Sequence, residues 1–351
     1  MTQYDGILLR QNLQDQGLMP RTGGWTASPD IIMAGTQPTQ DPQAVFSTAA
    51  SYGTDPTQPV VQNATNYVYL RGKNLNAAAQ TGTARVFYAP QSLFLYPVQW
   101  LNNSILTSRG SATSDLGSLA PNAIGVTTDP FVWVPTNISE HTCLVGFIST
   151  PEYPFESQKP PNAVTSMNDL AAWIGKTGGT GWHNVQFTSA GAPTFTNSTV
   201  YPPSTTAATV QFAVTCVSCP VGSQVSFSCG TPLPDGTYIN LPPTTVTKPT
   251  QIGFTVTYQV PAGWTSPISY SYYANGNPPV DGNFSVSMSA SILTSTPGSQ
   301  VFAAYARPAV EVFPNHVHVA DNGRQLTALN DMPVNYLIPV GSDMTKLTQG
   351  G

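Results

Sequence analysis

Apolar and polar residues alternate with a period of two through much of the second half of the chain. Val210, Phe212, Val214 and Cys216 alternate with Gln211, Ala213 and Thr215, and Phe254, Val256, Tyr258 and Val260 with Thr255, Thr257 and Gln259. The longest run sets Phe284, Val286, Met288, Ala290 and Ile292 against Ser285, Ser287, Ser289 and Ser291. Successive strand side chains point to opposite faces, so each run predicts a strand with one apolar and one polar face. Pro234-Asp235-Gly236 and Asn275-Gly276-Asn277 supply turns between them, the spacing expected of a β-sandwich. In the first half, Tyr67 and Tyr69 alternate with Val68 and Leu70, Arg85–Tyr88 continues the style, and 131–134 and 143–148 are apolar runs of strand length. A helical period occurs once. Met167, Leu170, Ala171 and Ile174 fall on one helix face, Ser166 and Asp169 form a capping-box variant before it, and Gly178-Gly179 provides a stop.

The predicted fold class is therefore all-β: tandem immunoglobulin-like antiparallel β-sandwiches with one short helix and extended terminal arms. A length of 351 residues suits two domains. Residues 1–27 are turn-rich and read as an N-terminal arm, and 28–193 as the first sandwich. The Thr-, Ser- and Pro-containing stretch 194–206 reads as a linker. Residues 207–313 form the second sandwich, and 314–351 a C-terminal extension resting on the first domain or on a neighbour.

Composition narrows the function. Charged residues make up 8% of the chain, against about 25% in an ordinary soluble domain. Twelve Lys and Arg against 17 Asp and Glu leave a net charge of −5, with no basic stripe, so a nucleic-acid partner is not expected. The 33 prolines argue against a helical bundle, and 40% hydrophobic content against plain disorder. Residues 1–15 lack a basic segment followed by an apolar one, so no signal peptide is recognisable. No run of about 18 apolar residues predicts a transmembrane helix. A surface of Ser, Thr, Asn and Gln suits an extracellular or particle-surface location.

The stretch Asn66-Tyr-Val-Tyr-Leu-Arg-Gly-Lys-Asn74, followed by 77–82 and Val86-Phe87-Tyr88, resembles a strand pair of a CARDB-type module. Ser28-Pro29-Asp30-Ile31 before it, and Trp100, Trp133-Val134-Pro135 and Cys143-Leu144-Val145 after it, are similar to flanking features of such modules. The resemblance covers about residues 28–149, and Asn74-Leu75-Asn76 replaces the usual Asn-Gly turn. It implies an immunoglobulin-like sandwich of the kind found in bacterial surface proteins, with an adhesive role.

Candidate chemistry is sparse. The sequence contains no P-loop, GxGxxG after a strand, HExxH or GxSxG, so an enzyme is not expected and no cofactor is implied. His141 and Cys143 would share a strand face and form a nucleophile pair oriented by Glu140 or Asp129, unless Cys143 belongs to a core strand. His183 sits at a turn-to-strand transition and reads as a packed or solvated polar residue. His316 and His318 would likewise share a face and begin a metal site, completed by Glu311, Asp321 or another chain. This pair resembles the HxH of some phage spike tips; the bland alternative is a polar strand edge. Cys216, Cys219 and Cys229 read as a disulfide and a free thiol, a three-cysteine metal site, or three buried thiols. Tyr270, Tyr272 and Tyr273 beside the Asn275-Gly276 turn are candidate glycan-binding aromatics, whereas Trp100, Trp133, Trp182 and Trp264 are expected in the core.

These readings favour a non-catalytic protein for binding or assembly at a cell or particle surface, adhesion-like or structural. Its partner would be another protein or its own copies, with a glycan as a further ligand. Arms exchanged between protomers and uncharged strand edges would supply the contacts. The alternative is a secreted pore-forming toxin in which the charge-free segment 283–296 pairs with 245–260 as a releasable hairpin. A third reading is a glycan-active hydrolase with two carboxyl groups brought together from afar.

Overall fold

A computed structural model describes residues 2–21, 25–90, 92–136, 142–161, 163–188, 194–277, 279, 282–294, 305–320, 323 and 325–347. The fold is all-β, as predicted, with short helices between strands. In the first half, Asn66–Asn74 pairs with Ile7–Leu8, Ile31–Met33, Ile124–Val126 and Phe131–Trp133. A facing sheet runs in the order Thr180–Asn184, Thr142–Ser149, Gln80–Pro90, Ser104–Ile105, with Ser114–Leu119 also on Gln80–Pro90. The Ile7, Ile31, Val68, Leu70, Val86, Leu144 and Ile148 side chains fill the space between these sheets.

The second half holds an eight-stranded and a four-stranded sheet. In the larger one, Ser285–Thr294 lies between Ala208–Val217 and Tyr336–Leu347, and Gln251–Val260 follows beyond Ala208–Val217. Its inward face is the apolar set expected from the alternation: Val210, Phe212, Val214, Phe254, Val286, Met288 and Ala290 are all buried. The smaller sheet, in the order Thr194–Tyr201, Ser266–Tyr273, Gln224–Cys229, Asn240–Thr245, closes over that face.

Several boundaries are corrected. The stretch expected as a linker contains the strand Thr194–Tyr201, paired with Ser266–Tyr273 along its length. The β-prone Thr, Ser and Val residues govern here, and the prolines 202–203 lie just past the strand end. Tyr201 is fully buried against Phe94 and Trp264 at ring-centroid distances of 4.8 and 5.1 Å. The main core accordingly runs unbroken from Phe87, Trp100, Trp173 and Trp182 into Phe212, Phe227 and Tyr270.

Neither terminal segment is a free arm. Ile7, Leu8 and Leu9 are buried in their own chain, because three consecutive apolar residues gain more in a core than in water. Tyr336–Leu347 pairs with the whole of Ser285–Thr294, and His316–Ala320 joins Gln251–Val260, so the expected extension completes the large sheet. The pairing is not wholly antiparallel: His316–His318 runs parallel to 253–255, and Gln186–Thr188 parallel to 345–347. Asp55 also bonds Lys346 at 2.6 Å, tying the segment just after residues 49–52 to the large sheet.

The predicted helix forms at Met167–Ile174. The Ser166 hydroxyl accepts the Asp169 N–H at 3.1 Å and donates to its carboxylate at 2.6 Å, satisfying a helix-end donor that has no partner within the helix. It is not the single helix expected. Pro42–Phe46, Ala49–Tyr52, Phe155–Gln158 and Ala309–Val312 are also helical, each too short to show a full apolar period.

Candidate functional site

The polar face of the large sheet follows directly from the alternation. Ser287 lies opposite Thr215 on one side and Met344 on the other, Ser289 opposite Ala213 and Ser342, and Ser291 opposite Gln211 and Pro339. One strand further on, Thr257 lies opposite Gln211 and Thr255 opposite Ala213. This face is floored by hydroxyl and amide groups and carries little charge.

Two other parts of the chain partly roof it. Asn12, Gln14, Asp15, Trp25, Thr26 and Phe313 stand around a groove of about 520 Å³ floored by Ser285, Ser287, Ser289, Ser291 and Thr215. The Thr26 and Ser342 hydroxyls meet at its wall. Among the described residues Asp15 is its one charged lining group, and it is tied to Arg21 through two guanidinium nitrogens. Burial would raise the Asp15 carboxyl, but Arg21 and the backbone N–H groups of Gln11 and Gly17 outweigh it and hold it below the ordinary range.

His316 and His318 share this face, as their spacing predicts, and both rings are engaged by neighbouring groups. His316 Nδ1 faces the Pro314 carbonyl at 3.1 Å, so it carries the proton, and Nε2 accepts from the Thr215 hydroxyl at 2.8 Å. Both ring nitrogens are thereby used. Burial lowers this imidazole to about 4, against a smaller opposing effect of the Pro314 carbonyl. His318 is half-buried with Nδ1 3.4 Å from the Thr255 hydroxyl, and burial lowers it as well. Glu311 is engaged with Arg307 at 3.3 Å, and Asp321 lies outside the described residues. Among the described residues no group of three His, Cys, Asp or Glu side chains gathers.

The His316 ring occupies space that only glycine leaves open. A Cβ on Gly253, its parallel partner, would fall 1.9 Å from Nε2. Gly253→Ala is expected to push the ring off Thr215 and lower stability by about 1–3 kcal/mol. A denaturant titration showing no change would contradict this packing.

The tyrosine platform is corrected. Tyr270 and Tyr272 point into the core: Tyr270 Oη bonds the Thr345 hydroxyl at 2.8 Å, and Tyr272 packs on Phe195 and Phe284. Ile268, buried on the same strand face, was the sequence signal for this orientation. Tyr273 is half-buried with Oη 3.4 Å from the Ser226 hydroxyl. Trp100, Trp133, Trp182 and Trp264 are buried as expected.

All four cysteines are buried, with no disulfide among them. Cys216 is raised well above the ordinary thiol range by its hydrogen bond with Cys219 and by burial, and burial pushes Cys229 up to about 12. Cys143 packs in its core strand with Sγ 2.5 Å from Asn184 Oδ1, while His141 and Glu140 lie outside the described residues. His183 is packed, with Nδ1 2.5 Å from the Ser28 carbonyl. The releasable hairpin is also corrected, because Ala208–Val217 lies between Ser285–Thr294 and Gln251–Val260 and pairs with both. Among the described residues no helix is long and apolar enough to cross a membrane.

No protein-family model matches the sequence, and comparison with curated proteins yields no match. Among solved structures, the chain is similar over 63% of its length to the secreted serine protease VesC from Vibrio cholerae, at 12% identity and TM-score 0.21. It covers 45% of that chain. It is similar over 67% of its length to red sea bream transglutaminase, at 10% identity and TM-score 0.20, covering 28% of that chain. A third match, to the CupB6 tip adhesin from Pseudomonas aeruginosa, covers 83% of this chain and 92% of that one at 7% identity and TM-score 0.16. The chain thus spans less than half the length of the first two. Two of these three matches are to enzymes, contrary to the expectation that the chain is not one. Likenesses this low assign it neither an activity nor a catalytic residue.

Proposed function

We propose that this protein binds its target at a cell or particle surface in an adhesion-like role, using the groove on the polar face of the large sheet. The observation that carries the reading is the floor of that groove, a row of Ser285, Ser287, Ser289 and Ser291 beside Thr215, Gln251 and Ser342. Hydroxyl and carboxamide groups both donate and accept hydrogen bonds, which suits them to the hydroxyls of a neutral glycan. Trp25 and Phe313 at the walls add apolar surface for a sugar ring. A volume of about 520 Å³ lies within the usual range of small-ligand sites. The low charge of the chain agrees with recognition that does not depend on ion pairs.

The test is a glycan array followed by calorimetry on retained sugars. The double substitution Ser287→Val with Ser289→Val is expected to weaken binding at least about tenfold, or about 1.4 kcal/mol, with little change in unfolding midpoint. Retention of no glycan by the wild type, or unchanged affinity in the double variant, would overturn the reading.

A further inference from the structure

The Gln80–Pro90 strand carries a second groove, of about 430 Å³, which has no lining residue in common with the serine groove. Alternation places Thr81, Thr83 and Arg85 on the strand face that also bears Phe87, and register sets Thr83 opposite Ser149 and Arg85 opposite Phe147. Phe155 packs on Phe147 and Phe87 at ring-centroid distances of 5.1 and 5.9 Å, and the Arg85 guanidinium lies 4.5 Å over the same Phe155 ring. Stacking holds the guanidinium and leaves the N–H groups at its edge to meet a planar anion. Arg10, Arg21, Arg71, Arg109 and Arg307 each pair with a carboxylate. Half-buried Arg85 differs: among the described residues neither an ion pair nor a hydrogen bond engages its guanidinium. The carboxylates beside the groove have partners already. Glu156 holds Lys159 at 2.5 Å, and Asp115 accepts the Thr83 hydroxyl at 3.1 Å. Having given its proton to Asp115, the Thr83 hydroxyl offers lone pairs to a further donor.

From this arrangement we infer that the groove binds a hydroxylated monocarboxylate, its carboxylate accepting from the Arg85 fork and a hydroxyl donating to Thr83 Oγ1. A planar carboxylate matches the two parallel N–H groups of a guanidinium, which a point charge does not need. A single charge is selected because Glu156 at the wall and Asp115 behind Thr83 repel a second one. A volume of about 430 Å³ accommodates a small ligand of this kind. The site stands independently of the glycan reading.

Glucuronate, glucose and glucose 6-phosphate test it, since they share one ring and differ in the charge carried at one end. Binding is measured on the full chain by ligand-observed NMR, and the Arg85 side-chain N–H resonance is followed in a nitrogen-15 correlation spectrum. Glucuronate is expected to bind at least about tenfold more tightly than either other sugar, or about 1.4 kcal/mol, and to shift the Arg85 resonance. Arg85→Gln, which removes the charge and the fork, is expected to cost glucuronate the same factor. Should that variant fail to fold, Thr81→Trp serves instead, because Thr81 lines the groove from an exposed position and a large ring there blocks entry. The Ser287→Val, Ser289→Val variant is expected to bind glucuronate as the wild type does, so failure of the glycan reading leaves this test intact. Equal binding of all three probes, tighter binding of the phosphate, no glucuronate binding, or unchanged affinity in the Arg85 or Thr81 variant would each overturn the assignment.

Discussion

Asp30→Asn is expected to lower the stability of the protein by about 3–5 kcal/mol, the scale of breaking a buried ion pair from one side. Asp30 is completely buried. Its carboxylate accepts Arg10 Nε at 2.9 Å, Arg10 Nη2 at 2.7 Å, the Arg10 backbone N–H at 3.0 Å and Arg71 Nε at 2.8 Å. Arg71 is also completely buried and spends its remaining donors on the carbonyls of Pro29, Phe46, Ser51 and Thr54. The Arg10 guanidinium lies 3.4 Å over the Tyr52 ring. Removing the Asp30 charge leaves two buried guanidinium groups without the carboxylate that both of them contact. The same residue joins the 7–10 segment to the sheet strand 66–74, so its loss loosens the N-terminal segment as well. Urea titration checks the magnitude, and a loss under about 1 kcal/mol would show that the pair is far better solvated than its burial implies. The triple substitution Arg10→Met, Asp30→Leu, Arg71→Met is expected to recover part of the loss, because it removes all three charges of this cluster together.

Stability is also expected to fall as the pH drops from about 6.5 to about 4, by up to about 3 kcal/mol from His316 alone. Its folded-state value of about 4 lies below the 6.5 of an exposed imidazole. The unfolded chain therefore takes up a proton first, and stability is intact above about 6.5, declines through the interval and levels off below about 4. A difference of two to three pH units at about 1.4 kcal/mol per unit sets the magnitude. His183 acts in the same direction, since burial lowers it in spite of Asp55. A separate loss follows at lower pH. Burial would raise Asp55, but His183, the Lys346 ammonium and the Thr57 N–H outweigh it and bring it down to about 2. Its contribution is present above the ordinary carboxylate range and disappears as the pH falls toward 2. Unfolding free energies at half-unit pH steps resolve the two windows. His316→Gln removes one titrating group and should flatten the upper window; an unchanged slope there would assign it to other residues.

How much of this was legible in advance can be judged strand by strand. The alternation at 210–216, 254–260 and 284–292 identified both the strands and their buried faces, because each apolar side chain settles its own orientation. Ser166 and Asp169 marked the helix start for a similarly local reason, a side-chain oxygen meeting an otherwise unpaired N–H. The candidate site was partly visible: the row of serines was evident, and so was the shared face of His316 and His318. What the row faces was not. Asp15, Trp25 and Thr26 reach the groove from more than 250 positions away in the chain, and no periodicity encodes that approach.

The same division explains the corrections. Tyr270 and Tyr272 alternate correctly, but only the closing of the small sheet over the large one made their side the inner one. Stretch 194–201 was read by its neighbouring prolines, although its fate depended on the free edge of Ser266–Tyr273. The sequence by itself determined that this is an all-β protein, which residues alternate into its core, and that its polar surfaces carry little charge; these follow from side-chain chemistry acting within a few residues. The tertiary structure alone decided that residues 7–9 and 336–347 pack into the sheets, that the serine strand is an interior one, and that a partly roofed polar face leaves a groove. Those outcomes depend on hydrogen-bonded pairings between distant segments, and a strand's polar edge can satisfy many partners until packing selects one.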